Sequence, residues 1–499
     1  MAEKHPDPDA QDEAAAHAGD QHLKRRFGLV SVIAFGFTTM NSWVAFASGV
    51  AVPLSCGGGP GLIYGLIAAA VVMVVINTGF AELASAFPSA GGQYHIVYKT
   101  FPPSSRRPAA FFTGWVSVIY ITAAAASCNF FVASSVLDLV ALWDAGYTPQ
   151  PWHTYLVHVL LCVVAFLAAS RFPSAVGRLG VAVLALSVAG FVASVATLLA
   201  VRQSRPPADV VFGDLRNESG WPDGWAVVVG ITGCLWAYSG VDAATHVSEE
   251  VDNPSRNVPV AIAVTMALGV VTVLAWNVAL LFSVTDLRAL MESTVPILEV
   301  YNQALGSKAA TTVWAVYYMA MFYDIVINLF VFGGRTIWSL ARDGGVPYSR
   351  ALVRLDAGAS PVSATAVVLV LQVALGVLYV ASTAAYSSFI NLTLFALNIT
   401  VALPQAALLF RGRHILPERA FSLGRAGYVV NAAATAFVAF FSVAFCFPVA
   451  YPVSASSMNY LIVVMAVGLV VTAAAWALKL HKTFTGPRGD FEEGEADNI

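Results

Sequence analysis

Three ionisable side chains follow a short polar interruption near the middle of the chain. The stretch WAYSGVDAATHVSEE contains Asp242, His246 and Glu250, and Ser239 and Gly240 come just before them. Spacings of four residues place the three ionisable groups on one face of a helix. A carboxylic acid, an imidazole and a second carboxylic acid along one face form a candidate path for protons.

The rest of the sequence places this stretch inside a membrane. Of 499 residues, 58% are hydrophobic and only 11% are charged, whereas soluble proteins carry about 25% charged residues. Apolar windows of about 20 residues, the length that crosses a bilayer, recur about twelve times. The net charge of -3 argues against a nucleic-acid partner. The sequence therefore predicts an all-α polytopic membrane protein.

We expect one membrane domain between two polar tails. Residues 1–26 are predicted to be a disordered cytosolic tail without the apolar core of a signal peptide. Residues 27–481 form the twelve-helix domain, and residues 482–499 form a short acidic cytosolic tail. The predicted spans are 28–53, 61–83, 110–140, 153–170, 175–201, 225–248, 258–284, 310–340, 362–381, 384–410, 426–448 and 457–480.

The basic residues predict the orientation of these spans. Of 26 Lys and Arg residues, all but five fall on the side that carries both chain ends; the exceptions are Arg202, Arg205, Arg216, Arg288 and Lys308. By the positive-inside rule, both termini are cytosolic. The N-x-S sequon at Asn217 then lies outside, which agrees.

Two spans are interrupted by small and polar residues. Span one contains FGFTTMNSWVAFASG and span six contains GCLWAYSGVDAATH, five spans apart. Backbone without helical hydrogen bonds is tolerated at membrane depth only where it is buried in protein or lines a cavity. Breaks in corresponding positions of two halves are typical of transporters with inverted repeats and a midplane binding site. Small residues can also serve helix packing alone, and the sequence leaves that alternative open.

The sequence shows no pattern typical of a disulfide framework, a metal site or an enzyme active site. The five cysteines show no C-x-x-C spacing, so we expect neither a disulfide framework nor a metal site. No H-E-x-x-H motif, G-x-S-x-G motif or phosphate-binding loop stands where catalysis would need it. We therefore expect no catalytic residue, no cofactor and no enzyme activity.

Longer stretches resemble a known transporter family. The stretch WAYSGVDAATHVSEEVDNPSRNVPVAI is similar to the sixth helix and following loop of amino acid–polyamine–organocation permeases. GGGPGLIYG, AELASAFPSAGGQY and GGRTIWSLARDGGVPYSRAL extend the resemblance across spans one to eight. NSW and GVDAATHVSEE look most like the fungal branch with GABA and choline permeases. The resemblance implies a five-plus-five inverted-repeat (LeuT-like) fold with two added helices, working by alternating access.

The breaks and the resemblance together predict the substrate site. Free N–H groups at the half-helices can hold a carboxylate, and aromatic faces near the breaks can hold an ammonium group. In the resembling exchangers, the residue aligned with Trp236 closes over the substrate. Asp324 in span eight is a candidate counter-charge for an amine. The predicted contacts are Thr38, Thr39, Asn41, Ser42, Trp43, Trp236, Ala237, Tyr238, Ser239, Gly240 and Asp324.

Asp242, His246 and Glu250 are the predicted coupling and gating residues. The acid aligned with Asp242 contributes to pH-dependent coupling in the resembling exchangers, whereas many relatives lack His246. Alternatively, Glu249, Glu250 and Asp252 pair with Arg256 and Arg342 to close the inner gate, which would make these acids structural. Span five has no Lys that could replace a sodium ion, and analogy favours a proton as the coupling ion.

These features predict a secondary transporter that imports amino acids or related amines such as GABA by proton symport. A choline or quaternary-amine permease is the alternative, because the sequence offers both a carboxylate site and aromatic faces. A non-transporting nutrient receptor is a further alternative, which the short tails disfavour. The expected partners are the small-molecule substrate, H+ and membrane lipid, in the plasma membrane by analogy.

Overall fold

The computed structural model describes residues 27–201, 206–356, 360–381, 383–454 and 458–487. The predicted N-terminal tail and residues 488–499 of the predicted C-terminal tail lie outside the described residues. Within the described ranges the chain is helical, and its one recorded β-type pairing joins Phe27 to Val251.

Twelve helical segments of the described chain are long and apolar enough to cross a membrane, which confirms the predicted number. They are Leu29–Ser48, Ala51–Ala86, Arg106–Trp143, Pro151–Arg171, Leu179–Ala200, Asp223–His246, Pro254–Leu281, Lys308–Arg342, Val362–Val380, Ser388–Arg411, Ala426–Ala444 and Leu461–Thr483. We number them spans 1 to 12. Because their number is even, span 1 begins and span 12 ends on the same side of the helix bundle, here called the terminal side.

Short helices lie between several spans. They are Gln93–Thr100, Ala208–Phe212, Leu287–Glu292, Pro296–Leu305 and Ser349–Leu352, with a 3-10 turn at Arg413–Ile415. Gln93–Thr100 is buried along most of its length and packs against spans 3 and 10. It lies on the terminal side, directly after span 2, and it brings side chains to the breaks.

The boundary between spans 1 and 2 differs from the prediction. Span 1 ends at Ser48 rather than at residue 53, and span 2 begins at Ala51 rather than at residue 61. Span 2 is not one regular helix, because Gly58 has a φ of 62° and a ψ of -149°. Glycine adopts this conformation readily because it has no β-carbon. The GGGP sequence therefore lies inside span 2 and bends it, whereas the prediction placed this sequence in the loop before span 2.

The packing separates two groups of spans. Spans 1, 2, 6 and 7 pack on one another, and spans 3, 4, 8 and 9 form a second group. Span 8 contacts span 1, and span 10 contacts spans 2 and 3, so these spans connect the groups. The two broken spans, 1 and 6, lie in the first group and face the second.

A buried ion cluster fixes the terminal-side end of span 2. Glu82 accepts hydrogen bonds from Arg413 at 2.5 Å, from Arg419 at 2.7 Å and from the Leu423 N–H at 2.9 Å. Ser85 joins it by accepting from the Phe421 N–H at 3.0 Å. The loop between spans 10 and 11 is thereby attached to span 2.

We expect Glu82→Gln to lower the apparent melting temperature of the purified protein by several degrees. Removing one partner of a buried pair costs about 3–5 kcal/mol, because the remaining charge stays buried without compensation. Glu292→Gln is the matched control, since this carboxylate pairs with Arg288 on the surface and its side chain is 67% exposed. Equal melting temperatures for the two variants would contradict a structural role of the cluster.

Candidate substrate and coupling site

The breaks in spans 1 and 6 meet inside the protein. Span 1 is interrupted at Asn41, whose φ of 32° and ψ of 57° are left-handed. Span 6 is interrupted at Ser239 and Gly240, and Gly240 has a φ of 93°. A β-carbon at Gly240 would lie 3.6 Å from the Thr39 carbonyl oxygen and the Met40 Cα. These distances are ordinary van der Waals contacts, so the break needs glycine for its positive φ rather than for its size.

The polar side chains of the span 1 break bond partly to span 5. Ser187 donates to the Asn41 side-chain oxygen at 2.9 Å, and the Trp43 indole donates to Ser187 at 3.1 Å. The Asn41 amide nitrogen and the Ser42 hydroxyl are buried without a hydrogen-bond partner among the described residues. Buried polar groups are normally paired, so these two groups are available to a bound solute.

Span 8 places a carboxylate beside the span 1 break. Asn328 donates to Asp324 at 3.0 Å and lies 3.0 Å from the Thr38 hydroxyl. In the described chain, Asp324 has no ion pair with a basic side chain. An ionised carboxylate at membrane depth is costly without a cation. Asp324 therefore either carries a proton or is neutralised by a cation that binds beside it. The Thr39 hydroxyl instead bonds within its own helix, to the Phe35 carbonyl at 2.6 Å.

Trp236 connects the two broken spans on the side opposite the chain ends. Its indole N–H donates to the Ala45 carbonyl at 3.2 Å and to the Ser48 hydroxyl at 3.2 Å. Trp236 and Ala237 are buried, whereas Ser239 and Gly240 are half-buried. At this position, just outside the breaks, a side chain would cover a solute bound between them.

The three candidate aromatic residues do not form one box. Trp43 packs against Tyr318, with ring centroids 5.2 Å apart, and against Trp276 at 6.3 Å. Tyr238 points to span 2 and donates to the Leu66 carbonyl at 3.1 Å. Among the described residues, neither ring stacks on Trp236, because the breaks turn the three side chains in different directions.

Asp242 is the centre of a buried hydrogen-bond cluster. Its Oδ2 atom accepts from Tyr120 of span 3 at 2.5 Å and from Gln93 at 2.7 Å. His246 Nε2 lies 3.7 Å from the same oxygen. Asp242 Oδ1 has no hydrogen-bond partner within the described structure. The carboxyl group has hydroxyl, amide and imidazole neighbours but no permanently charged one.

A small cavity adjoins Asp242 and Gly240. Span 2 contributes Asn77, span 6 contributes Tyr238, and span 10 contributes Asn398 to its wall. The cavity has room for about one water molecule.

The predicted helical face through Asp242, His246 and Glu250 does not continue to Glu250. The second half of span 6 is a short helix, Ala243–His246, followed by a 3-10 turn at Ser248–Glu250. His246 faces the Ala90 carbonyl at 3.3 Å, whereas Glu250 forms a buried ion pair with Arg335 of span 8. The helix ends too early for a spacing of eight residues to preserve one face.

Ion pairs close the terminal side below the breaks. Glu249 bonds to Arg342 at 3.2 Å and to the Ala90 N–H at 3.0 Å. Burial raises the pKa of Glu249, but the Arg342 guanidinium outweighs it and holds this pKa below its usual value. Burial, helped by Arg342 and Lys99, lowers the pKa of His95 to about 3, so this imidazole is neutral. The predicted pairing of Glu249 with Arg342 is present, whereas Glu250 bonds to Arg335 instead.

Sequence reasoning missed several residues of the site. Tyr120, Ser187 and Asn328 each lie in a span without a local interruption, so no sequence pattern singles them out. Gln93 stood within the quoted AGGQY stretch but carried no predicted role. Each of the four bonds to a residue more than 100 positions away: Tyr120 and Gln93 bond to Asp242, Ser187 bonds to Asn41, and Asn328 bonds to Thr38.

Comparison with known proteins agrees with this architecture. Residues 27–468 match the family described as amino acid permease. The choline transporter of Saccharomyces cerevisiae is 32% identical over 94% of this chain and 84% of its own length. A putative amino acid/polyamine transporter of Macrophomina phaseolina is 29% identical over 86% and 96%. The swainsonine transporter of Arthroderma benhamiae is 27% identical over 92% of each chain.

A solved transporter has the same fold. The nucleobase-cation-symport-1 family transporter Mhp1, in a closed conformation with bromovinylhydantoin bound, superposes with a TM-score of 0.54. The superposition covers 93% of this chain and 96% of that one at 14% identity. This similarity confirms the predicted LeuT-like fold.

We expect Trp236→Ala to reduce uptake about tenfold or more without reducing the amount of protein at the cell surface. The substitution removes the indole ring and both hydrogen bonds to span 1, so the breaks lose their outer closure. Uptake of labelled amine by cells lacking their own permeases measures the effect. Trp152→Ala, at a site where the indole is 56% exposed, should change nothing; normal uptake by Trp236→Ala would contradict the site assignment.

Proposed function

We propose that this chain, a secondary transporter that belongs to the amino acid permease family, imports a small organic cation of the choline type by alternating access. The observation that carries the proposal is Asp324, a carboxylate beside the span 1 break that pairs with no basic side chain among the described residues. A bound quaternary ammonium group would supply the positive charge that neutralises the Asp324 carboxylate. The relative named choline transporter supports the same substrate class.

The short half-helices also favour a cation over a carboxylate as the selected group. The helix after the span 1 break, Ser42–Ala45, continues as a 3-10 turn to Ser48 and so contains seven residues, and the helix after the span 6 break, Ala243–His246, contains four. A helix this short aligns few peptide dipoles, so the partial positive charge at its N-terminus is weak. Selectivity then depends more on the Asp324 carboxylate than on helix amides.

Amino acids such as GABA are the second candidate. The first N–H groups of a helix lack partners within that helix, and Ser42 and Asn41 add a free hydroxyl and a free amide at one break. These groups can donate hydrogen bonds to a substrate carboxylate while Asp324 holds its amine.

We further propose that Asp242 carries the coupling proton. The carboxyl group lies at the span 6 break, and its charge is compensated by Tyr120, Gln93 and His246 rather than by an arginine. Protonation of Asp242 would weaken the contacts that hold span 6 to span 3 and Gln93. Proton binding is thereby linked to movement of the broken helix.

The proposed orientation places the terminal side in the cytosol of a plasma-membrane protein. The excess of Lys and Arg on that side supports this orientation. Release then requires the Glu249–Arg342 and Glu250–Arg335 pairs to separate.

Asp242→Asn should flatten the dependence of uptake on external pH. Asparagine has nearly the same shape but neither binds nor releases a proton, so uptake should vary little from acidic to neutral medium. Initial rates at several pH values measure the profile, with exposed Asp252→Asn as the control that keeps the wild-type profile. An unchanged profile in Asp242→Asn would remove this residue from the coupling path.

The substrate is tested by uptake of labelled choline and, separately, labelled GABA in yeast lacking its own choline and GABA permeases. We expect choline uptake that excess GABA does not block. Asp324→Asn should weaken choline uptake about tenfold or more, since a hydrogen bond or contact to a charged group contributes ~1.5–3 kcal/mol. Asp138→Asn, another span aspartate, is the control. Uptake of GABA alone, blocked only by competitors with a carboxylate, would replace the first candidate with the second.

A further inference from the structure

A long apolar groove opens between spans 2 and 7 on the surface that faces the membrane. Its volume is about 740 Å³. Span 2, span 7 and the loop between spans 10 and 11 line it. The lining residues are Val74, Asn77, Thr78, Ala81, Arg256, Pro259, Val260, Ile262, Ala263, Met266, Ala267, Val270, Val271, Ala420 and Phe421.

The groove follows one leaflet of the bilayer. Its span 7 wall runs from Arg256 to Val271, which is about 22 Å at the helical rise of 1.5 Å per residue. The hydrocarbon core of one leaflet is about 15 Å thick. The groove therefore extends from the terminal-side membrane surface, at Phe421, to about the bilayer midplane.

The walls are shaped for a flexible chain. Ala263 and Ala267 are one helical turn apart on span 7, face the groove and are exposed. Val74 and Val271 are also exposed, with 42% and 63% of their surface accessible. Small side chains along the floor and branched ones at the rim leave an apolar channel of acyl-chain length.

The mouth of the groove carries positive charge. Arg256 is exposed there and forms no ion pair among the described residues, not even with the nearby acidic Asp252. Behind Ala420, the single carboxylate of Glu82 compensates two arginines, Arg413 and Arg419. A phosphate group at the mouth would meet Arg256 directly.

We propose that this groove binds an anionic phospholipid of the terminal-side leaflet. One acyl chain lies between spans 2 and 7, and the phosphate-bearing headgroup lies at Arg256. Arginine matches the geometry of phosphate oxygens, and the apolar channel continues from it into the hydrocarbon layer. Anionic lipids are concentrated in the cytosolic leaflet, which agrees with the proposed orientation of the chain.

Native mass spectrometry of the purified full chain tests the site. The protein is titrated with phosphatidylserine or with phosphatidylcholine of the same acyl composition, and retained lipid is measured. We expect tighter binding of phosphatidylserine and about a fivefold weaker binding in Arg256→Gln, equal to about 1 kcal/mol for one basic residue at an anionic headgroup. Arg350→Gln, which removes an exposed arginine away from the groove, should bind as the wild type does.

A second variant tests the position of the acyl chain. Ala263→Trp fills the groove and should release the tightly bound phosphatidylserine, whereas Val370→Trp, on the exposed face of span 9, should not. Equal binding of the two lipids, or wild-type binding by Arg256→Gln, would overturn the headgroup assignment. Wild-type retention by a folded Ala263→Trp variant would overturn the groove as the binding site.

Discussion

The fold depends on satisfying unwound backbone inside the hydrocarbon layer. A break in a membrane helix is tolerated only where protein surrounds it. Here each break is covered by the other, with Gly240 against Thr39 and Met40. The Asn41 carbonyl accepts hydrogen bonds from the Val44 and Ala45 N–H groups, which restarts the helix at once. The arrangement of the other spans follows from enclosing this contact.

Five carboxylates of the membrane domain fall into two classes. Glu82, Glu249 and Glu250, near the terminal side, each bond to an arginine. Asp242 and Asp324, at the breaks, form no bond to an arginine or lysine within the described ranges, where their partners are hydroxyl, amide and imidazole groups. A carboxylate that is permanently paired with an arginine is suited to hold two spans together. A carboxylate without such a partner is suited to bind and release a cation. This charge pattern agrees with the proposed roles of Asp242 and Asp324 and with a supporting role for the three glutamates.

The first group of spans borders both the small cavity beside Asp242 and the membrane-facing groove. Asn77 lines the small cavity beside Asp242 and also the membrane-facing groove. Only the side chain layer of span 2 therefore separates Asp242 from the membrane-facing groove. The loop that Glu82 attaches to span 2 carries Ala420 and Phe421 at the groove mouth. A lipid in the groove would lie against elements that surround the breaks.

The sequence by itself determined the twelve spans and the two breaks, because apolar length and clusters of glycine, serine and threonine act locally. It misplaced the start of span 2, where Gly58 bends a continuous helix. Only the tertiary structure decided that Tyr120 bonds to Asp242, that Arg335 bonds to Glu250, and that Trp43 joins rings of other spans. Such pairings join distant segments, so their specificity comes from helix packing, which no short spacing encodes.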